Sequence, residues 1–187
     1  IFPVSSSLEE IEESISISTH TAKSPSKEQI INQSLKSHLQ GNISEAVKFY
    51  RHFLDLGFED FRVFSNYGVI LKDLGQLQEA ELLIRKAIKL NPDLAEAHSN
   101  LGTILIDLGK AKEAELSLRK AIKLNPEFAE AYSNLGNVLR DLGKAKEAEL
   151  SLRKAIKLNP EFAEAYSNLG NVLRDLDQAK EAELSLR

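Results

Sequence analysis

The chain has 187 residues, with 24 Lys and Arg against 28 Asp and Glu and a net charge of −4. It contains no cysteine, which excludes a disulfide framework, a thiolate metal site and a cysteine nucleophile, and is compatible with the cytoplasm. Four of the acids (Glu9, Glu10, Glu12, Glu13) and one base (Lys23) fall within residues 1–26, leaving a nearly neutral body that argues against nucleic acid, since phosphate binding needs a basic face.

Residues 1–26 are rich in Ser and Thr, with prolines at Pro3 and Pro25. Ser7 and Glu10 have the spacing of a capping box, which predicts one short helix ending near Ser14. The rest of this composition predicts a flexible arm. Its first residues, IFPV, make an apolar extended segment suited to lie against a neighbouring molecule. The start lacks the basic region and long apolar run of a signal peptide. No apolar run approaches the ~20 residues that span a bilayer, so no membrane association is expected. The first residue is not Met, which reads as numbering that begins inside a longer protein.

From residue 27 the chain is a tandem array with a period of 34. The segment Lys110–Leu142 recurs letter for letter at Lys144–Leu176. The spacing divides the chain into a degenerate unit at 27–60, units at 61–94, 95–128 and 129–162, and an incomplete unit at 163–187 that stops inside its second helix. In the unit 129–162, Tyr132, Leu135, Leu139 and Leu142 are spaced as one apolar helix face. Gly143 interrupts. A second helix follows with Ala148, Leu152, Ala155 and Leu158 on one face, and Asn159-Pro160 ends it, because proline lacks the N–H and restricts its predecessor. Glu149 and Arg153 are spaced for an i,i+4 ion pair. Gly68, Gly102, Gly136 and Gly170 recur inside the first helix, where glycine costs ~1 kcal/mol relative to alanine. That recurrence predicts close approach of the paired helices, with Gly136 facing Ala148 and with Tyr132 and Leu152 on the flanks.

The pattern Tyr132-x2-Leu135-Gly136-x2-Leu139, followed by Ala148, Leu152, Ala155 and Pro160, resembles the tetratricopeptide repeat. The resemblance covers the units starting at Phe61, Ala95, Ala129 and Ala163. It weakens at Lys27, where Gln33 and Ser34 replace the Leu-Gly or Tyr-Gly pair and Phe58 replaces the proline. It implies an all-α, right-handed α-α superhelix of helix-turn-helix repeats, with the first helices on the concave wall. A chain of this kind is expected to be a docking scaffold for proteins or peptides, since stacked repeats form a long groove without an enclosed pocket.

On that wall the resemblance places a polar stripe of Glu130, Ser133, Asn134, Asn137, Arg140 and Asp141, repeated as Glu164, Ser167, Asn168, Asn171, Arg174 and Asp175. Asn66, Asn100, Asn134 and Asn168 would form a ladder with one rung per repeat. An asparagine amide offers an acceptor and two donors, enough to hold the C=O and N–H of an extended peptide whatever its side chains. The segment Ala129–Asn137 is similar to repeats of O-linked N-acetylglucosamine transferases, where an asparagine ladder guides peptide substrates. Asn137, Asn171, Arg140 and Arg174 join the ladder as candidate peptide-binding residues. The Lys and Arg that clamp a C-terminal carboxylate in other members are missing: Glu96, Glu130 and Glu164 stand near those places, with Ser99, Ser133 and Ser167.

No catalytic set is legible. His20, His38, His52 and His98 form no metal-ligand spacing, and His98 stands where other units carry Phe64, Tyr132 and Tyr166, a packing position. No phosphate-cradling loop is present. The chain is therefore expected to be no enzyme and to need no metal or cofactor. Two other readings stay open: a docking module of a larger enzyme such as a glycosyltransferase, and a self-assembling repeat that forms homo-oligomers through the N-terminal arm or the open C-terminal end.

Overall fold

The computed structural model describes residues 25–185, and side-chain surroundings up to residue 177. The expectations for the N-terminal arm at 1–26, including the Ser7 cap and the apolar start, lie outside the described residues but for the last two. Among the described residues the helices are α1 (Lys27–Leu39), α2 (Ile43–Asp55), α3 (Phe61–Asp73), α4 (Leu77–Leu90), α5 (Ala95–Asp107), α6 (Ala111–Leu124), α7 (Ala129–Asp141), α8 (Ala145–Leu158) and α9 (Ala163–Ser185). None of them is long and apolar enough to cross a membrane.

Local chemistry sets the boundaries. Ser26 and Gln29 form a reciprocal capping box at the start of α1. The carboxylate of Asp60 caps α3 by accepting from Arg62 N at 2.9 Å. Helices α3, α5 and α7 each end at an aspartate followed by Leu-Gly. There Gly75, Gly109 and Gly143 adopt φ values of 72–75°, a left-handed conformation open to glycine. At the last of these, Gly143 N donates to Arg140 O and Lys144 N to Leu139 O, the paired bonds of a Schellman motif. The second helices α4, α6 and α8 end at Asn-Pro, and Asn125 and Asn159 each fold back to accept from the backbone N–H two residues on.

The helices pair as antiparallel hairpins, α1 with α2, α3 with α4, α5 with α6 and α7 with α8, stacked in chain order. Leu135, Leu139, Ala148, Leu152 and Ala155 are buried, and the core runs on continuously from Ile30 to Val172. Successive first helices touch one another, whereas successive second helices have no backbone approach. The first helices therefore line the inner side of the curve.

Two expectations are corrected. Gly136 faces Leu152, not Ala148. A Cβ placed on Gly136 would sit 2.5 Å from Leu152 Cγ, and one on Gly102 would sit 2.6 Å from Leu118 Cγ. The glycine is the seat of the partner helix's largest knob, and the alanine lies beside it. The last unit also departs from the hairpin pattern: α9 runs unbroken through the place where a turn was expected. Asp177 occupies the position of Gly75, Gly109 and Gly143, and the left-handed turn that stops the other first helices is missing there.

Candidate functional site: the inner wall of the first helices

The candidate rungs sit one per repeat on α3, α5, α7 and α9, and all four are half-buried. Asn66 turns its amide back on its own helix, donating from Nδ2 to Arg62 O at 2.8 Å. Asn100, Asn134 and Asn168 make no side-chain hydrogen bond among the described residues. Their donors and acceptors face water and remain free for another chain. This regularity follows from the 34-residue period, which returns each asparagine to the same angle of its helix.

Asn137 and Asn171 lie nearly one turn further along and are also half-buried. Thr103 and Val69 take this position in the preceding units, so the second set is confined to α7 and α9. Arg140 lies between Asp141 at 3.8 Å and Asp175 at 3.6 Å, which ties α7 to α9. Arg174 donates to Asn171 Oδ1. Together Arg140, Asn171, Arg174 and Asp175 line an open polar depression of about 360 Å³. Its two guanidinium groups face carboxylate and amide oxygens of the chain itself, so the depression carries no unbalanced positive charge.

Ser133 of the expected polar stripe and its counterpart Ser99 behave otherwise. Ser133 is fully buried and its Oγ has no partner among the described residues. Ser99 is buried as well. A serine here is small enough for the packed side of the helix, and neither residue lines the groove. Glu96, Glu130 and Glu164 are exposed. His98 is half-buried, with Nε2 2.9 Å from Pro92 O.

The second helices carry features that the sequence reading missed. Arg85 bridges Glu81 on its own helix at 2.8 Å and Glu113 on the next second helix at 2.9 Å, while Lys110 reaches back to Glu81 at 2.7 Å. Arg119, Glu115, Glu147 and Lys144 repeat this network one unit later. Lys110 and Lys144 hold the carboxyls of Glu81 and Glu115 below the usual range, against the effect of burial and with help from Arg85 and Arg119. The expected pair of Glu149 and Arg153 forms at 2.9 Å. Lys154 lies over the Tyr132 ring at 6.0 Å. Leu82, Leu116 and Leu150 are exposed at the same place in three repeats. Leu116 borders a depression of about 400 Å³ that is also lined by Ile88 and His98. The 34-residue recurrence of a leucine outside both apolar faces was the available signal. Among the described residues no cluster of His, Asp and Glu could hold a metal ion.

Family models described as TPR repeat match residues 102–143 and 136–176, and others described as tetratricopeptide repeat match 83–115 and 61–94. No curated protein matches. Among solved structures, a crystal structure of MamA protein is similar with a TM-score of 0.73 and 25% identity, over 83% of this chain and 85% of that one. MamA from residue 41 to its end, from Desulfovibrio magneticus RS-1, is similar with a TM-score of 0.72 and 25% identity, over 84% and 89%. The first TPR of Spaghetti (RPAP3), solved with the HSP90 peptide SRMEEVD, has a TM-score of 0.61 and 25% identity, over 63% of this chain and 93% of that one. The fold is the right-handed α-α superhelix. With the repeat pattern matched from residue 61 to residue 176, the chain belongs to the tetratricopeptide-repeat family.

Proposed function

We propose that this chain is a non-catalytic scaffold that holds an extended peptide or protein segment along its inner wall, through backbone contacts to an asparagine ladder. The observation that carries the reading is the free amide on Asn100, Asn134 and Asn168, repeated at one angle of three successive first helices. A repeating amide suits a repeating backbone. Asn66 serves as an end rung through its Oδ1, since its amide nitrogen is engaged. Asn137, Asn171, Arg140 and Arg174 add side-chain contacts at the α7–α9 end. The RPAP3 domain was solved with a bound peptide, which supports the same use of this fold here. Glu96, Glu130 and Glu164 make a carboxylate clamp a poor fit, so the ligand is held by its backbone and not by its terminus.

Each neutral amide contact nets ~0.5–1.5 kcal/mol, part of which ordering the peptide consumes, so affinity is modest and is raised by side-chain contacts or avidity. The test is to select binders for the whole chain from a random-peptide display library and measure their affinity for Asn100→Ala combined with Asn134→Ala. The expected result is at least a tenfold loss, about 1.4 kcal/mol, with an unchanged melting temperature. Peptides that bind the double variant as tightly as the parent would refute the ladder.

A further inference from the structure

In the units 61–94 and 129–162 a lysine of the second helix covers an aromatic ring of the first. Lys86 lies 5.6 Å from the centroid of Phe64, and Lys154 lies 6.0 Å from that of Tyr132. The negative face of the ring attracts the ammonium group. In the unit between them, the ring position is taken by His98 and the lysine position by Lys120. Imidazole is smaller than a phenyl ring, and His98 is held toward the loop before α5, with Nε2 2.9 Å from Pro92 O. Lys120 has no ring contact, ion pair or hydrogen bond among the described residues. One repeat of three thus keeps the lysine and lacks the ring.

The depression of about 400 Å³ between α4, α5 and α6 lies at this place, and it falls in the size range of small-ligand sites. His98 and the buried Leu101 line it from α5, Ile88 from α4 and Leu116 from α6. The charged residues along it are all basic: Arg85 and Lys89 on α4 and Lys120 on α6. Arg85 is balanced by Glu81 and Glu113. Lys89, like Lys120, is unpaired among the described residues. The depression therefore joins apolar walls to two uncompensated ammonium groups, one of them at the register that covers a ring in the neighbouring units. In those units the chain's own ring holds the equivalent place, so the depression is a single seat and not a track along the array. A single seat suits one compact ligand and not an extended chain.

We propose that this depression is a binding site for a small aromatic carboxylate. The ligand's ring takes the seat that Phe64 and Tyr132 fill in the neighbouring units, and Lys120 closes over it as Lys86 and Lys154 do over theirs. Lys89, on the opposite side of the depression, receives the carboxylate in a charge-assisted hydrogen bond. A neutral ring leaves Lys89 unused, and an aliphatic acid leaves Lys120 without a π face. The site lies on the outer side of the array and shares no residue with the asparagine ladder, so it is independent of the groove reading.

Phenylacetate is the probe, titrated into the isotope-labelled whole chain and followed by NMR. The methyl signals of Ile88 and Leu116 and the ring signals of His98 should shift along one saturating curve. Cyclohexylacetate keeps the charge without the π face, and benzyl alcohol keeps the ring without the charge; each should bind about threefold more weakly or worse. His98→Tyr installs the residue that the unit 129–162 carries at this position, so the fold is retained while the seat is filled from within. It should weaken phenylacetate by about tenfold or more. Lys120→Gln should abolish the preference for phenylacetate over cyclohexylacetate. No saturable shift in the parent, equal affinity of the parent for phenylacetate and cyclohexylacetate, or undiminished binding to His98→Tyr would each overturn the site.

Discussion

At the scale of single residues, glycine and leucine are a matched pair. Gly102 and Gly136 lie against Leu118 and Leu152, with no room for a methyl group. Helix propensity alone favours alanine at these sites by ~1 kcal/mol. The packing argues for the opposite sign, because Leu152 is fully buried and has nowhere to retreat. Gly136→Ala is expected to lower stability by ~1–3 kcal/mol in thermal or denaturant melts, and Leu152→Ala in the same chain should make the alanine at 136 tolerable. A higher melting temperature for Gly136→Ala alone would contradict this. The need for glycine was legible in its recurrence every 34 residues. Its partner was not, because sequence spacing leaves undetermined how the second helix is rotated about its axis, and that rotation decides whether Ala148 or Leu152 meets the glycine.

At the scale of elements, the second helices are joined by ion pairs without backbone approach, whereas the first helices touch directly and add pairs such as Arg140 with Asp175. The i,i+4 pair of Glu149 and Arg153 could be read from the sequence because one helix fixes its geometry. The contacts of Arg119 with Glu147 and of Lys144 with Glu115 span 28 and 29 positions, and they depend on how one repeat is stacked on the next. The carboxyls of Glu81 and Glu115 are held low by these partners. A lowered folded-state value means stability that is present above the ordinary value of 4.5 and is lost as pH falls below it through the folded-state value. Melting temperature should therefore drop on acidification from pH 4.5 downward, and Glu81→Gln with Glu115→Gln should melt lower than the parent at neutral pH and show a shallower acid drop. Parallel pH profiles for parent and variant would show that these bridges add no net stability, as many exposed pairs do not. The straight course of α9 belongs to this scale too. The substitution of Asp177 for glycine was visible in the sequence, but the strength of the 34-residue pattern argued for a turn.

For the whole molecule, repetition made the fold legible and also limited what could be read of the site. A period of 34 with Asn-Pro and Leu-Gly stops specifies hairpins that stack only one way. The same period generates every ladder at once: Asn100 and Asn134 on the inner wall, Leu116 and Leu150 outside, and Ser99 and Ser133 buried. Sequence alone gave the serines the same standing as the asparagines, although the residues differ by one position and the helix turns 100° between them. The central claim is that the asparagine amides, and not the outer leucine depression, receive a peptide. It is tested most directly by following side-chain amide signals in NMR spectra of the isotope-labelled chain as a display-selected peptide is added. The account calls for the amide pairs of Asn100, Asn134 and Asn168 to shift together along one titration curve. Shifts confined to the surroundings of His98 and Leu116, with the ladder amides unmoved, would contradict it.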